Sequence, residues 1–75
     1  MRVTDAADLG RVLRSARQAK GWSQQRLADA AGLSRDWVVR AESGSGRLEV
    51  QLVLKALGAL DLSIDVAEAM QEADL

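Results

Sequence analysis

The sequence predicts a mainly α-helical, single-domain protein, and three observations point there. Its 75 residues contain no Pro, and its six Gly fall largely where helices should stop. Apolar residues recur at three- and four-residue steps, the period of a helix with one buried face. Ser, Thr or Asp stands just ahead of several of these stretches, where a side-chain oxygen can cap the free N–H groups of a first turn. A chain this short buries only about 60% of its unfolded surface, so a partner subunit would add stability.

Helix 1 is expected from Ala6 to Ala19, with Thr4 or Asp5 as N-cap, Leu9, Val12, Leu13 and Ala16 as apolar stripe, and Gly21 as stop. Helix 2 starts after Ser23 and runs through Leu27, Ala28 and Ala31 until Gly32 ends it. Helix 3 starts after Ser34 and ends near Glu42, before Ser43-Gly44-Ser45-Gly46. Helix 4 spans about Glu49 to Leu60 and is apolar almost all round, which implies burial on more than one side and hints at a dimer.

The stretch from Leu62 to Ala67 has two readings. Its alternation, with β-branched Ile64 and Val66 on the apolar side, fits a half-buried strand; with Ser63 as N-cap the same letters fit a short helix. One strand does not stand unpaired, so the strand reading requires the equivalent strand of a second subunit. Leu60, Leu62, Ile64 and Val66 are then the dimerisation residues. Residues 68–75 read as an acidic tail, helical or frayed. The chain divides into a helical unit over 1–61 and a dimerisation strand with its tail over 62–75.

Gly21 to Gly44, GWSQQRLADAAGLSRDWVVRAESG, gives two short helices joined by the tight turn Ala31-Gly32-Leu33. The second opens on the polar run Ser34-Arg35-Asp36. This is the layout of a helix-turn-helix, which pushes a helix end into the major groove of DNA.

Net charge raises an objection, being −1 with a pI near 5.2 where nucleic-acid binders are often basic. The distribution answers it. Residues 1–47 hold nine cations against five acids, and residues 48–75 hold Lys55 alone against six acids, a balance of +4 and −5. The asymmetry suggests a basic working face and an acidic opposite end, although solvated charge at two ends of a small domain fits the same count.

The absence of Cys and His removes disulfides, thiolate and imidazole metal ligands and the usual proton shuttles. No cofactor or metal is expected, and catalysis would need paired carboxylates or an activated Ser or Lys with no evident pocket, so an enzyme is not expected. No apolar run approaches ~20 residues and the N-terminus lacks a secretory core, so a cytoplasmic protein without a membrane span is expected.

Arg14, Arg17, Gly21, Ser23-Gln24, Leu27-Ala28, Gly32-Leu33-Ser34, Val38 and Glu42-Ser43-Gly44 agree in order and spacing with the Xre/Cro family of phage and bacterial repressors, which the chain resembles from Leu9 to about Leu60. The resemblance implies a lambda-repressor-like helix-turn-helix bundle of four to five helices. GWSQ at the start of helix 2 and LGALDLSIDV after helix 4 resemble the HipB-type antitoxins, which implies a C-terminal strand paired across a homodimer. It also implies autoregulation on a palindromic operator in double-stranded DNA and a HipA-like kinase toxin as partner. A stand-alone regulator fits the same residues, and so does a protein-interaction module without DNA binding.

Arg35, Asp36 and Arg40 can share the exposed face of helix 3. Arg reads guanine O6 and N7 bidentately, a contact worth roughly 1–3 kcal/mol of discrimination. Asp36 can accept from cytosine N4, orient a neighbouring Arg, or form a surface pair with Arg40. Val39 can touch a thymine methyl. Trp37 packs either on sugar–phosphate or on the protein itself. Gln24 sits on the first turn of helix 2, where its amide and the free backbone N–H groups suit a phosphate, the role the resemblance assigns to it. Ser23 and Ser34 are caps first and phosphate donors second; Ser43, Ser45 and Arg47 follow helix 3 in a loop resembling the family's backbone-contacting loop. The resemblance gives Arg17 and Glu42 a buried ion pair that holds the recognition helix at its angle. Trp22 reads as a core or staple residue, and Arg11, Arg14 and Lys20 as spare cations.

Overall fold

Four helices, three of them started by a side-chain cap and two of them ended by a left-handed glycine, make up a computed structural model that describes residues 3–45 and 47–64. They are α1 (Ala6–Ala19), α2 (Gln24–Ala31), α3 (Arg35–Ser43) and α4 (Val50–Ala59). Asp5 caps α1 by accepting the Asp8 N–H at 2.8 Å. Ser23 and Ser34 cap α2 and α3 by accepting from the Arg26 and Trp37 N–H groups, each at 3.0 Å. At the entrance to α1, the Thr4 hydroxyl (2.7 Å) and backbone N–H (3.0 Å) both donate to Asp8, which also pairs with Arg11. The Thr4 hydroxyl, then its N–H, hold the Asp8 carboxyl below the usual carboxylate range.

Two glycines carry geometry that other residues resist. Gly32 ends α2 at φ 71°, and the Leu33 N–H folds back to the Ala28 carbonyl at 2.8 Å, turning the chain into α3 within three residues. Gly44 ends α3 at φ 75°, and a Cβ there would lie 2.9 Å from the Ala7 Cα. The end of α3 is thereby pressed onto the start of α1.

The helices meet around Leu13 of α1, Leu27 and Ala28 of α2, Trp37, Val38 and Ala41 of α3, Val53, Ala56 and Leu57 of α4, and Leu60. α3 packs against α1 and α2, and α2 also packs against α4. α3 is therefore held by neighbours on its inner side while its outer side stays open. No helix among the described residues is long and apolar enough to cross a membrane.

One expectation for the C-terminal half changes. Leu60, expected at a dimer seam, is 3% exposed and fills the subunit's own core, because it follows Ala56 and Leu57 on the buried face of α4. Helix 4 is covered by its own chain on one side, and Val50 at 70% and Leu54 at 48% exposure leave further apolar surface open. Residues 62–64 belong to neither strand nor helix, with Leu62 and Ile64 exposed; the rest of the expected strand, Val66 included, lies outside the described residues, as does most of the 62–75 segment.

Candidate nucleic-acid interface

At 3.6 residues per turn, Arg35, Val39 and Ser43 fall along one line of α3 and Asp36 and Arg40 along the next. Trp37, Val38 and Ala41 fall on the opposite side and are buried. Arg35, Asp36, Arg40 and Ser43 are exposed and Val39 half-buried, so the four expected base-reading residues occupy a single outward face. The Arg40 Nε donates to Asp36 Oδ2 at 3.1 Å, one turn apart, with both side chains half exposed or more. In water such a pair contributes only about 0.3–0.5 kcal/mol, so it yields readily to a stronger partner. Arg35 makes no ion pair among the described residues, and its guanidinium is open to solvent.

Trp37 is a correction. It is 5% exposed and packs in the core, so it is not available to sugar–phosphate. Its position four residues before Ala41 and next to Val38 puts it on the apolar side of α3, and turning a bulky indole outward would leave a void there.

The phosphate candidates gather at the two helix starts and the loop after α3. With Ser23 Oγ committed to the Arg26 N–H, the N–H groups of Gln24 and Gln25 are left without intrahelical acceptors; the same holds for Arg35 and Asp36 at α3, where Ser34 takes the Trp37 N–H. Ser43 donates to the Arg40 carbonyl at 2.8 Å and lies 3.0 Å from the Ser45 hydroxyl, while Ser45 and Arg47 are exposed.

Behind this face stands the ion pair. Arg17 donates from Nε to Glu42 Oε2 at 2.7 Å and from Nη2 to Oε1 at 3.0 Å, with 11% and 4% of the two side chains exposed. The Glu42 hydrogen bond raises the Arg17 pKa further above its already high ordinary value, against the burial that lowers it. Arg17 Nη1 donates to the Trp22 carbonyl at 2.8 Å, and Gln24 Nε2 donates to Glu42 Oε1 at 3.2 Å. One guanidinium and one carboxylate thus join α1, the start of α2 and the end of α3. Sequence patterning does not reveal these last two contacts: a backbone acceptor leaves no letter, and the Gln24 partner lies 18 positions away.

Lys20 is not a spare cation. Its Nζ pairs with Asp61 at 2.9 Å and stands 5.2 Å from the Trp22 ring, which Arg26 also approaches at 5.2 Å. Trp22, half-buried against the core, is flanked by two cations. Arg11 is held by Asp8, and Arg14 is exposed.

These features have counterparts in known proteins. A family profile described as helix-turn-helix domain matches residues 8–70. An uncharacterised HTH-type transcriptional regulator, y4mF, of Sinorhizobium fredii is 32% identical over 65 residues, which cover 87% of this chain and 86% of that protein. Among solved structures, the restriction-modification controller protein C.AhdI of Aeromonas hydrophila superposes with a TM-score of 0.73 at 39% identity, over 79% of this chain and 86% of that one. A chain of the HipB-O4 20mer complex superposes with a TM-score of 0.82 at 23% identity, over 92% of this chain and 97% of that one, a likeness of fold. With the capped pair of helices, the Gly32 turn and the outward face of α3 all in place, the chain belongs to the helix-turn-helix domain family and is a helix-turn-helix transcriptional regulator.

Proposed function

We propose that the chain is a homodimeric, sequence-specific DNA-binding repressor that places α3 of each subunit into successive major grooves on one side of a palindromic operator. The observation that carries this reading is the outward face of α3, with Arg35, Asp36, Val39 and Arg40 together on a helix clamped from behind by α1 and α2. Two-fold symmetry sets the half-sites about 34 Å apart, one helical turn. The exposed apolar residues Val50, Leu54, Leu62 and Ile64 supply a surface for the second subunit. Arg35 and Arg40 read bases; Gln24, Ser43, Ser45 and Arg47 meet the backbone. The reading makes the chain a binder, not an enzyme.

As for its setting, we infer an antitoxin that pairs with a HipA-like kinase toxin and represses its own operon. GWSQ at the start of α2 and LGALDLSIDV from the end of α4 onward support this, as does the near-complete fold match to HipB, which is also found in a HipA-HipB-O2-O3 complex. The 39% identity to C.AhdI favours a second reading, a stand-alone controller without a toxin. Co-purification of the chain with the product of a neighbouring kinase-like reading frame supports the first; a chain that represses its own promoter with no such neighbour supports the second.

A gel-shift salt series on duplexes selected from a random pool tests the common part. Releasing counterions from several phosphates makes affinity fall steeply with salt. Arg35→Ala relaxes base preference at one position per half-site at a cost of about 1–3 kcal/mol, while Gln24→Ala weakens all sequences alike. If no duplex is retained at low salt, the chain is an interaction module instead; a uniform loss in Arg35→Ala removes its base-reading role.

A further inference from the structure

We propose that Glu42 is a positioning residue for contact with the DNA backbone, setting the Gln24 amide in place before any DNA arrives; this rests on the DNA-binding reading above. Arg17 alone satisfies the ion pair, through Nε on Oε2 and Nη2 on Oε1. The third bond, from Gln24 Nε2 to Oε1 at 3.2 Å, is additional to it and reaches the first residue of α2.

An ionised carboxylate only accepts, so the amide must turn its NH2 group, and not its carbonyl oxygen, toward Glu42. The orientation of Gln24 is therefore decided by the protein. One amide hydrogen is engaged on Glu42, and the second remains to donate. The Gln24 and Gln25 backbone N–H groups beside it also lack intrahelical acceptors. The same ion pair steadies the backbone there, since Arg17 Nη1 holds the Trp22 carbonyl just ahead of the Ser23 cap. A long, flexible side chain ordered in the free protein does not lose that freedom on binding. Glu42 itself, with 4% of its side chain exposed, acts through Gln24 and not on the DNA.

A double-mutant cycle separates positioning from mere structural support. Gln24→Met keeps length and loses the donor; Glu42→Gln keeps volume and loses the carboxylate. Affinity for one labelled duplex, selected by the wild type, is read by fluorescence anisotropy, with the fold of each variant checked by circular dichroism. The expected result is that Gln24→Met weakens binding roughly tenfold in the wild type, and less than about threefold in the Glu42→Gln background. An equal loss in both backgrounds overturns the proposal, as does no loss in the wild type, and either leaves DNA binding itself intact. Retention of no duplex by the wild type instead removes the underlying reading.

Should Glu42→Gln fail to fold, side-chain amide NMR of the wild-type protein decides. One of the two Gln24 amide protons should exchange with solvent markedly more slowly than the other in the free protein, and the faster one should shift when duplex is added. Two protons that exchange equally fast overturn the proposal.

Discussion

Gly10 shows what a single residue does that periodicity does not reveal. In the sequence, glycines mark helix ends, and Gly21, Gly32 and Gly44 fit that rule. Gly10 sits inside α1, and a Cβ there would lie 2.6 Å from the Ala41 carbonyl oxygen and 2.7 Å from that of Glu42. The backbones of α1 and α3 touch at this point, which lets Arg17 reach Glu42 two turns further along. Gly10→Ala gains up to about 1 kcal/mol of helix propensity but drives methyl against backbone. Net destabilisation of about 1–3 kcal/mol is expected, seen as a lower urea midpoint at unchanged slope; a midpoint at or above the wild-type value would show that α1 shifts freely. Ser23 and Ser34 are legible as caps because their bonds lie within three residues. The Gly10 contact is not, because the atoms it faces are backbone 31 positions on. Trp37 is legible in part: its four-residue spacing to Ala41 marks the inner side of α3, but the exposed residues around it in sequence suggest the outer.

Among the elements, α4 illustrates how a boundary is set by more than propensity. The expected span of about Glu49 to Leu60 and the observed Val50–Ala59 differ by one residue at each end, the two becoming the caps. The helix finishes in a Schellman-like closure, with the Leu62 N–H on the Leu57 carbonyl at 2.8 Å and Asp61 at φ 61°, where Gly usually stands. Left-handed backbone costs a residue with a Cβ about 1–2 kcal/mol, partly relieved for Asp by local hydrogen bonding. The exposed Lys20–Asp61 pair returns only about 0.2–1 kcal/mol. Asp61→Gly is therefore expected to stabilise the chain by about 0.5–1 kcal/mol, raising the thermal midpoint by roughly 2–6 °C. Asp61→Ala loses the pair and keeps the strained backbone, so it should melt lower than wild type. Calorimetry on the three proteins checks the order; if Asp61→Gly also melts below wild type, the Lys20 contact outweighs the backbone strain. Sequence patterning locates the helix but not this turn, since no letter marks an Asp as left-handed.

At the scale of the whole molecule, the second subunit is what the sequence implies without locating. An α4 that is apolar all round is legible, yet periodicity cannot distinguish a side covered by the same chain from one covered by a symmetry mate. The fold divides them: Val53, Ala56, Leu57 and Leu60 turn inward, while Val50 and Leu54 stay in water, as do Leu62 and Ile64. The proposed homodimer, seated on this face, would account for both sets, and it would link association to DNA affinity because each subunit would contribute one half-site. Leu54→Glu tests the link. At 48% exposure, Leu54 is only half covered by its own subunit, so the change should lower monomer stability by only about 1 kcal/mol. Placed at a two-fold seam, however, it buries two like charges and should convert the dimer to monomer in sedimentation equilibrium. Affinity for the full palindrome should then fall by about 10²-fold or more, while a single half-site, bound weakly by either protein, should be little affected. A Leu54→Glu protein that still sediments as a dimer would place the subunit contact elsewhere, and the exposed apolar residues of α4 would need another partner.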